Sequence, residues 1–355
     1  MLRIPYETAV SEMSAILEKK GFTPERAKLS AEIFAENSLA GVPSHGINRF
    51  ARTVFYLNNG LLDASAEAEC LLSFGSFERW DGHRGFGPLN CRLAMNRAIE
   101  LAKTHGIGIV ALGNNNHWMR GAMYGFQAAN AGCVGICFTN SQPNMPAWGG
   151  KDARIGNNPL VIAVPRSDGK HVVADCAMSL FSYGMMENYR LKGEKLPFIG
   201  GYDSEGKLTD DPGEIEKTWR VLPMGYWKGS SLSILLDLAV TVLSHGNSVK
   251  KIGEIGDEVG LSQTLIAIDP TMGGQTAASE NDAIIEEIVE YIKASVPVDE
   301  DTNIRYPGER ETKNMEENRA LGIPVVEEKW EEILNMKNAK PGEEVKSLVG
   351  TSAAK

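Results

Sequence analysis

Ser44, His45 and Arg49 belong to the first of three segments whose residue types can carry chemistry: Ser44-His45-Gly46, with Arg49 four residues after the histidine. If this stretch is helical, the spacing places His45 and Arg49 on one face. A histidine can give a proton to a carbonyl oxygen near neutral pH, and an arginine fork can hold a carboxylate through two parallel hydrogen bonds. The pair suits a 2-keto acid, although these four residues alone favour a capped loop with a surface arginine.

The second segment is Asn114–Gly121, which follows an apolar run with strand character. Ligand sites in open α/β sheets lie beyond the carboxyl ends of strands, where this loop would lie. Its amides, an imidazole, an indole and a guanidinium could all contact a ligand. Polar connectors are common, so an ordinary loop is an equally good interpretation.

The third segment, Met224–Ser230, opens a long apolar helix and contains Trp227 and Lys228. A lysine and free backbone N–H groups at a helix N-terminus favour an anion such as a phosphate. An ordinary helix start with aromatic packing is the better interpretation of this segment in isolation.

Several familiar signatures fail on their context. Residues Gly106–Ala111 fit G-x-G-x-x-A, but the glycines end a helix and enter a strand, which reverses the order of a dinucleotide fingerprint. In the loop Gly201–Lys207, Leu208 stands where a phosphate loop needs Ser or Thr. The sequence holds no H-E-x-x-H, no paired Cys/His cluster and no G-x-S-x-G elbow, so we predict no metal and no serine nucleophile.

Hydrophobic periodicity arranges these segments into a mixed α/β chain. Residues 1–77 are predicted to be an N-terminal helical part, with Thr23 capping a helix that has Pro24 at its first position. Helix and strand alternate over residues 78–175, and residues 78–228 are predicted to form an α/β domain. Residues 229–335 are predicted to be a helical and strand part that packs with the N-terminal part, and residues 336–355 a flexible tail.

Composition excludes several classes of protein. Of the 355 residues 43% are hydrophobic and 23% charged, which is typical of an ordered globular chain. The net charge of −10 argues against a nucleic-acid or anionic-membrane partner. Five cysteines without C-x-x-C spacing favour a reduced, cytoplasmic setting. We find no signal peptide and no apolar span long enough for a bilayer.

With these segments in hand, the sequence resembles the malate/L-lactate dehydrogenase family, which lacks the Rossmann fold. The similarity covers nearly all of residues 5–335. It is carried by GVPSHGINRF (41–50), ERWDGHRGFG (78–87), ELAKTHGIGIVAL (100–112), NHWMRGAMYG (116–125), WGGKDARIGNNPL (148–160), MSLFSYGM (178–185), LPMGYWKGS (222–230) and RYPGE (305–309).

The resemblance implies a cytoplasmic homodimer that reduces 2-oxo acids with NADH, or alternatively NADPH. It implies that residues 78–228 are a non-Rossmann α/β cofactor-binding domain, beside a helical domain built from both chain ends. It implies His45 as proton donor supported by Ser44, and Arg49 and Asn157 as substrate-binding residues. The implied cofactor-binding residues are His117, Trp118, Met119, Arg120, Gly121, His171, Val172, Val173, Ala174, Asp175, Cys176, Ala177, Trp227, Lys228, Gly308, Glu309 and Arg310.

The chain departs from the family pattern at a few of these positions. Many relatives read Gly-Thr-Asn-Pro where this chain has Gly156-Asn157-Asn158-Pro159, so the longer amide of Asn157 would reshape the pocket. Only Asp175 matches firmly within 171–177, and the residue type at Arg310 varies among relatives. A malate- or lactate-type dehydrogenase, a cyclic-imino-acid reductase and a catalytically idle relative remain alternatives. An idle protein has no physical need to keep Ser44, His45, Arg49 and Lys228 together.

Overall fold

The computed structural model describes residues 1–340, 342 and 345. Its helices, in chain order, are α1 (Tyr6–Lys19), α2 (Pro24–Leu39), α3 (Phe50–Asn58), α4 (Gly87–His105), α5 (Ala122–Asn130), α6 (Tyr183–Lys192), α7 (Pro212–Thr218), α8 (Trp227–Ser244), α9 (Val249–Ile255), α10 (Ala278–Lys293), α11 (Glu309–Leu321) and α12 (Glu327–Asn338).

The strands are mostly short, and seven of them form the main sheet. In chain order they are β1 (Leu2–Ile4), β2 (Glu69–Phe74), β3 (Phe77–Asp81), β4 (Ile107–Asn116), β5 (Val134–Thr139), β6 (Met145–Pro146), β7 (Ala153–Ile155), β8 (Leu160–Val164), β9 (Val172–Cys176), β10 (Gly201–Tyr202), β11 (Leu208–Thr209), β12 (Val259–Ile268) and β13 (Ile323–Val325).

The main sheet has the order β2-β3-β4-β12-β5-β8-β9. Only the β3–β4 pair is parallel, and every other neighbouring pair in it is antiparallel. A Rossmann sheet is mostly parallel and doubly wound, so this architecture agrees with the predicted non-Rossmann α/β class.

Strand β12 corrects the predicted domain boundaries. It lies between β4 and β5 in the middle of the sheet, so the division at residue 229 separates the α/β part from its own central strand. Its residues are nearly all buried because the sheet is covered on both faces. Strand β2 also belongs to this sheet, although it precedes residue 78.

Helices cover both faces of the sheet. On one face, α4 and α5 supply Cys91, Met95 and Ala128 to a core completed by Val110 and Leu265. Helix α4 ends, as predicted, at Gly106, which has the left-handed φ of 85°. Helix α8 packs on β4, β5 and β12 from the opposite face.

The helical part joins the two ends of the described chain, as predicted. Strand β1 pairs antiparallel with β13, and α1 and α2 pack against α12 and α11. Thr23 caps α2, because its side chain accepts the Arg26 N–H at 3.4 Å. Phe34 and Phe50 pack edge to face in this core, with ring centroids 5.2 Å apart.

The predicted tail does not begin at residue 336. Helix α12 continues to Asn338 with Met336 buried, and Val345 is buried in the same core as α1 and α2. Of the predicted tail, the structure describes residues 336–340, Gly342 and Val345, and the other positions lie outside the described residues.

Across the described chain, no single helix is long and apolar enough to cross a membrane. Helices Trp227–Ser244 and Val249–Ile255 meet the length and composition criteria only when they are counted together, and they are bent by 83° at the break between them.

Candidate active site

His45 lies at the end of a single 3-10 turn, Pro43–His45, which follows α2. A second 3-10 turn ends at Arg49, and Gly46 between them has a non-helical backbone (φ −110°, ψ −133°), so the continuous helix considered for this stretch is absent. Gly46 permits this path because a Cβ there would lie 2.2 Å from Ser38 Oγ in α2. The buried Asn37 amide also holds the turn by donating to the His45 carbonyl at 2.9 Å. The turn is therefore anchored on the helical part.

The His45 ring contacts two groups that fix its position. Its Nδ1 lies 3.2 Å from Ser44 Oγ, and its face stacks on the His117 ring at a centroid distance of 5.6 Å and an interplanar angle of 22°. His117 follows directly after β4, and its Nδ1 accepts the Met119 N–H at 3.0 Å. The first two predicted segments thus meet at these two imidazoles, one from the helical part and one from the sheet.

Both imidazoles are held in the neutral form at neutral pH. Burial and the nearby charges of Arg49 and Arg120 lower the pKa of His45 from 6.5 to about 4, although the residue keeps some solvent access. Burial lowers the pKa of His117 well below its ordinary value, and the Arg49 charge adds to this. An anion bound beside these arginines would favour the protonated form of His45.

Arg49 makes an ion pair with Glu258, with Nη2 and Oε2 2.7 Å apart. Glu258 is buried and immediately precedes β12, so the central strand of the sheet carries the carboxylate that orients Arg49. Glu258 was missed from the sequence. The sequence around Glu258 shows only an acidic residue before a predicted strand, and its partner Arg49 is 209 residues away in the chain.

Arg120 connects the histidines to the predicted cofactor segments. It is buried and makes an ion pair with Glu311 of α11, a residue that sequence reasoning also missed. The Arg120 charge lowers the pKa of both His45 and Asp175. Asp175 Oδ2 accepts the Ala122 N–H at 2.8 Å, so this carboxylate caps the first turn of α5. Burial still raises the Asp175 pKa overall, although the residue borders open solvent.

The stretch 171–177 and the segment beginning at Gly308 lie side by side. The Val173 N–H donates to the Pro307 carbonyl at 3.0 Å, and Gly308 takes the left-handed φ of 94°. A Cβ on Gly308 would lie 3.2 Å from the His171 carbonyl oxygen, so glycine allows the close approach. The His171 ring itself is used structurally, because its nitrogens contact the Arg166 N–H and the Asn130 side chain.

Two of the predicted cofactor-binding residues, Glu309 and Arg310, lie away from the histidine pair. Glu309 Oε1 accepts from Lys293 Nζ, and Arg310 is exposed. The described structure therefore gives these side chains no contact with the histidine pair.

The side-chain carbonyl oxygen of Asn157 already accepts hydrogen bonds from two neighbouring residues. Its Oδ1 accepts from Ser141 Oγ at 2.8 Å and from Asn144 Nδ2 at 3.0 Å, which leaves its amide N–H groups directed away from these partners. Tyr183 donates to the Asn144 carbonyl at 2.6 Å, and a Cβ on the adjacent Gly184 would lie 2.8 Å from Ser44 Cβ. Asn157 therefore connects through this segment to the Ser44 turn.

Trp227 and Lys228 lie at the start of α8, in an exposed aromatic group with Trp148. The Trp148 and Trp227 ring centroids are 6.5 Å apart, and Lys228 Nζ lies 5.9 Å from the Trp227 ring centroid. The preceding Tyr226 has a φ of 62°, a conformation that costs energy for a non-glycine residue and is enriched at functional sites. The Met224 N–H donates to the Met178 carbonyl at 2.8 Å, so this segment lies just beyond the end of β9.

The arrangement as a whole can bind an anion and move a proton. Two histidines and Arg49 face each other where the helical part meets the sheet, and Arg120 and Asp175 extend the site along the ends of β4 and β9. No group of three or more metal-ligating side chains occurs among the described residues. The predicted catalytic and substrate residues and the loop 117–121 come together, whereas Trp227 and Lys228 form a separate exposed group.

Comparisons with known families, sequences and structures agree on the family of this chain. The family model described as malate/L-lactate dehydrogenase matches residues 4–334. A 2,3-diketo-L-gulonate reductase from Klebsiella pneumoniae (strain 342) is 45% identical over 335 residues, which covers 94% of this chain and 99% of the relative. One from Escherichia coli O127:H6 is 46% identical with the same coverage. The solved malate dehydrogenase of Entamoeba histolytica has a TM-score of 0.88 at 25% identity, and the match covers 96% of this chain and 99% of that protein's chain.

These findings confirm the resemblance seen in the sequence. The chain belongs to the malate/L-lactate dehydrogenase family and is an oxidoreductase.

Proposed function

We propose that this protein reduces the C2 carbonyl of 2,3-diketo-L-gulonate to give 3-dehydro-L-gulonate, with NADH as the reductant. The observation that carries the proposal is the His45–His117 stack beside Arg49, which places a proton-donating group next to a carboxylate-binding group. The names of the relatives that match almost the whole chain support the sugar-acid substrate.

The chain's own residues divide the work of the reaction. Arg49 binds the substrate carboxylate, and Asn157 donates a hydrogen bond to a substrate oxygen. His45 hydrogen-bonds the C2 carbonyl oxygen, makes the carbon more electrophilic and gives up its proton as the oxygen gains charge, a step worth about 10²–10⁴-fold. Ser44 holds the other side of the imidazole through Nδ1. A reduced nicotinamide, when bound, would supply the hydride.

The residues present fit a nicotinamide dinucleotide. Arg120 is buried, and its Nε has no hydrogen-bond partner among the described atoms, which is costly unless a ligand accepts from it. Asp175 presents a carboxylate that can accept from a ribose hydroxyl or an amide. We therefore assign cofactor binding to the loop 117–121 and to the stretches 171–177, 227–228 and 308–310.

Helix α8 supports a homodimer. Its sheet-facing residues are small and largely polar, including Ser230, Ser233 and Ser244, whereas Leu235 and Leu238 on the outer face are 60% and 56% exposed. A surface helix normally shows the opposite pattern. An exposed apolar face of this kind is typical of an interaction site, and we propose that a second copy of this chain covers it.

We also propose a cytoplasmic location, because all five cysteines are free thiols in the structure. Cysteines are normally kept reduced in that compartment.

A panel of substrates tests the proposed reaction. Loss of nicotinamide absorbance is followed after adding 2,3-diketo-L-gulonate, with NADH and NADPH in parallel, and the ratio of the two rates assigns the cofactor. Oxidation only with oxaloacetate or pyruvate would favour the second candidate, a malate- or lactate-type dehydrogenase, which the Entamoeba histolytica structure supports. If no acid in the panel causes loss of nicotinamide absorbance, both candidate functions are contradicted.

A further inference from the structure

Arg52 is a guanidinium beside the site for which the mechanism above has no use. It lies three residues after Arg49 in α3, so the two side chains share one side of the helix. Its guanidinium carbon lies 5.8 Å from the ring centroid of Tyr56, a buried residue one turn further on. This stacking holds the Arg52 side chain against the helix.

The hydrogen-bonding groups of Arg52 are unused within the described part of the chain. No carboxylate there pairs with it, and its buried Nε has no hydrogen-bond partner. Arg49 differs, because its Nη2 already contacts Glu258 at 2.7 Å. A buried N–H without an acceptor is unfavourable, so of Arg49 and Arg52 it is Arg52 whose hydrogen-bond donors are available to a ligand.

Arg52 lies close to the stacked histidines. Glu258 makes its ion pair with Arg49 and not with Arg52. The charges that act on Tyr56 are those of Arg52, Glu258, Arg49 and, most weakly, Asp257. Arg52 is also close enough to His117 to contribute to the lowered pKa of its imidazole, after burial, Arg49 and His45. The Arg52 charge thus lies beside the site.

We propose that Arg52 is a second binding residue for the carboxylate of a 2-oxo or 2-hydroxy acid, acting beside Arg49, and that Glu258 is a positioning residue that holds Arg49 next to it. The inference rests on the proposed function and adds to its anion recognition a residue outside the predicted set. A guanidinium with free N–H groups can hold a carboxylate with two parallel hydrogen bonds.

The test measures binding and turnover separately. Oxamate, a non-reducible monocarboxylate analogue of a 2-oxo acid, is titrated by calorimetry into the full-length protein, with and without NADH. We expect Arg52→Gln to weaken oxamate binding and to raise KM about tenfold or more, while kcat changes less than about threefold. Arg52→Lys keeps the charge without the fork and should recover part of the loss. Arg154→Gln, which removes an equal charge from an exposed arginine, should match wild type.

The Glu258 role is tested by a double-mutant cycle. Glu258→Gln should raise KM on its own but have little further effect in an Arg49→Gln background, because it acts through Arg49. A purely structural role would give the same loss in both backgrounds, and would overturn the assignment of Glu258.

The two levels of the proposal fail in different ways. Wild-type oxamate affinity in Arg52→Gln would overturn the role of Arg52, even if the wild-type protein reduces its substrate. Arg52-dependent oxamate binding in a protein that oxidises nicotinamide with no 2-oxo acid would support the anion site and contradict the proposed function alone.

Discussion

His45 and His117 stack on each other, although His45 lies in a 3-10 turn of the helical part and His117 follows a strand of the sheet. Their ring centroids are 5.6 Å apart, and Asn37 and Met119 hold the two residues from either side. A small shift of the helical part against the sheet would separate the imidazoles. The active site therefore depends on the packing between the two parts.

Replacing His45 removes the proposed proton donor. We expect His45→Ala to lower kcat by at least about 10²-fold, while NADH affinity stays within about threefold of wild type. Steady-state kinetics and fluorescence titration of NADH measure the two quantities. As a matched control, His105→Ala changes a histidine at the end of α4 and should leave both unchanged. A His45→Ala enzyme with near wild-type kcat would remove His45 from the mechanism.

The lowered pKa of His45 sets the pH dependence of reduction. In the free enzyme, with a His45 pKa of about 4, the protonated fraction falls as pH rises. Since kcat/KM reports the free enzyme, it should decrease about tenfold per unit from pH 5 to pH 8. Bound carboxylate offsets the arginine charges, so kcat should begin to fall at a higher pH than kcat/KM. A kcat/KM value constant across this range would contradict His45 as the proton donor.

The same pKa predicts a loss of stability in acid that needs no activity measurement. The folded-state pKa of His45 lies below the unfolded value of 6.5, so the unfolded chain binds the proton more tightly. The free energy of unfolding should therefore fall as pH drops from 6.5 to 4, by about 2–3 kcal/mol from this group. Urea denaturation should show that His45→Gln becomes more stable relative to wild type over this interval. A difference independent of pH would contradict the environment assigned to His45.

Arg49 needs its planar fork as well as its charge. Its ion pair with Glu258 orients the guanidinium, and a lysine ammonium in its place cannot make two parallel hydrogen bonds. We expect Arg49→Lys to raise KM about tenfold or more with a smaller change in kcat. A KM equal to that of wild type would show that the carboxylate is held elsewhere. Arg26→Lys serves as the control, because that arginine pairs with an exposed glutamate away from the histidines.

The outer face of α8 can be tested by mass alone. Sedimentation velocity should give the wild-type chain twice its single-chain mass of 38.6 kDa. The double variant Leu235→Glu, Leu238→Glu should sediment as a single chain, because charges would be buried in the interface. Leu191→Glu, at a 70% exposed leucine on α6, is the control and should remain dimeric. A double variant that keeps the wild-type mass would place the interface elsewhere.

Local patterns in the sequence predicted much of the fold. Thr23 with Pro24 marked the start of α2, and Gly106 the end of α4, because capping depends on neighbouring residues. The position of β12 could not be predicted, because strand order depends on pairing between distant segments. For the same reason the domain division at residue 229 was wrong.

The candidate site was predicted where its residues lie in recognisable segments. Ser44, His45 and the loop 117–121 were identified in this way, and the structure brings them together. Glu258, Glu311 and Arg52 were missed, because their importance comes from a partner far away in the sequence or from the lack of one. The neutral state of His45 was also not predictable, since it arises from burial and from two arginines that converge only in the fold.

Transfer of labelled hydride tests the central claim most directly. NADH deuterated at both C4 positions is mixed with 2,3-diketo-L-gulonate and the wild-type protein, and the product is analysed by NMR and mass spectrometry. The proposed function predicts 3-dehydro-L-gulonate with one deuterium on C2, formed at similar rates by wild type and by His105→Ala and at least about 10²-fold more slowly by His45→Ala. Deuterium at another carbon, or an unchanged substrate beside a protein that binds NADH normally, would contradict reduction of the C2 carbonyl by this enzyme.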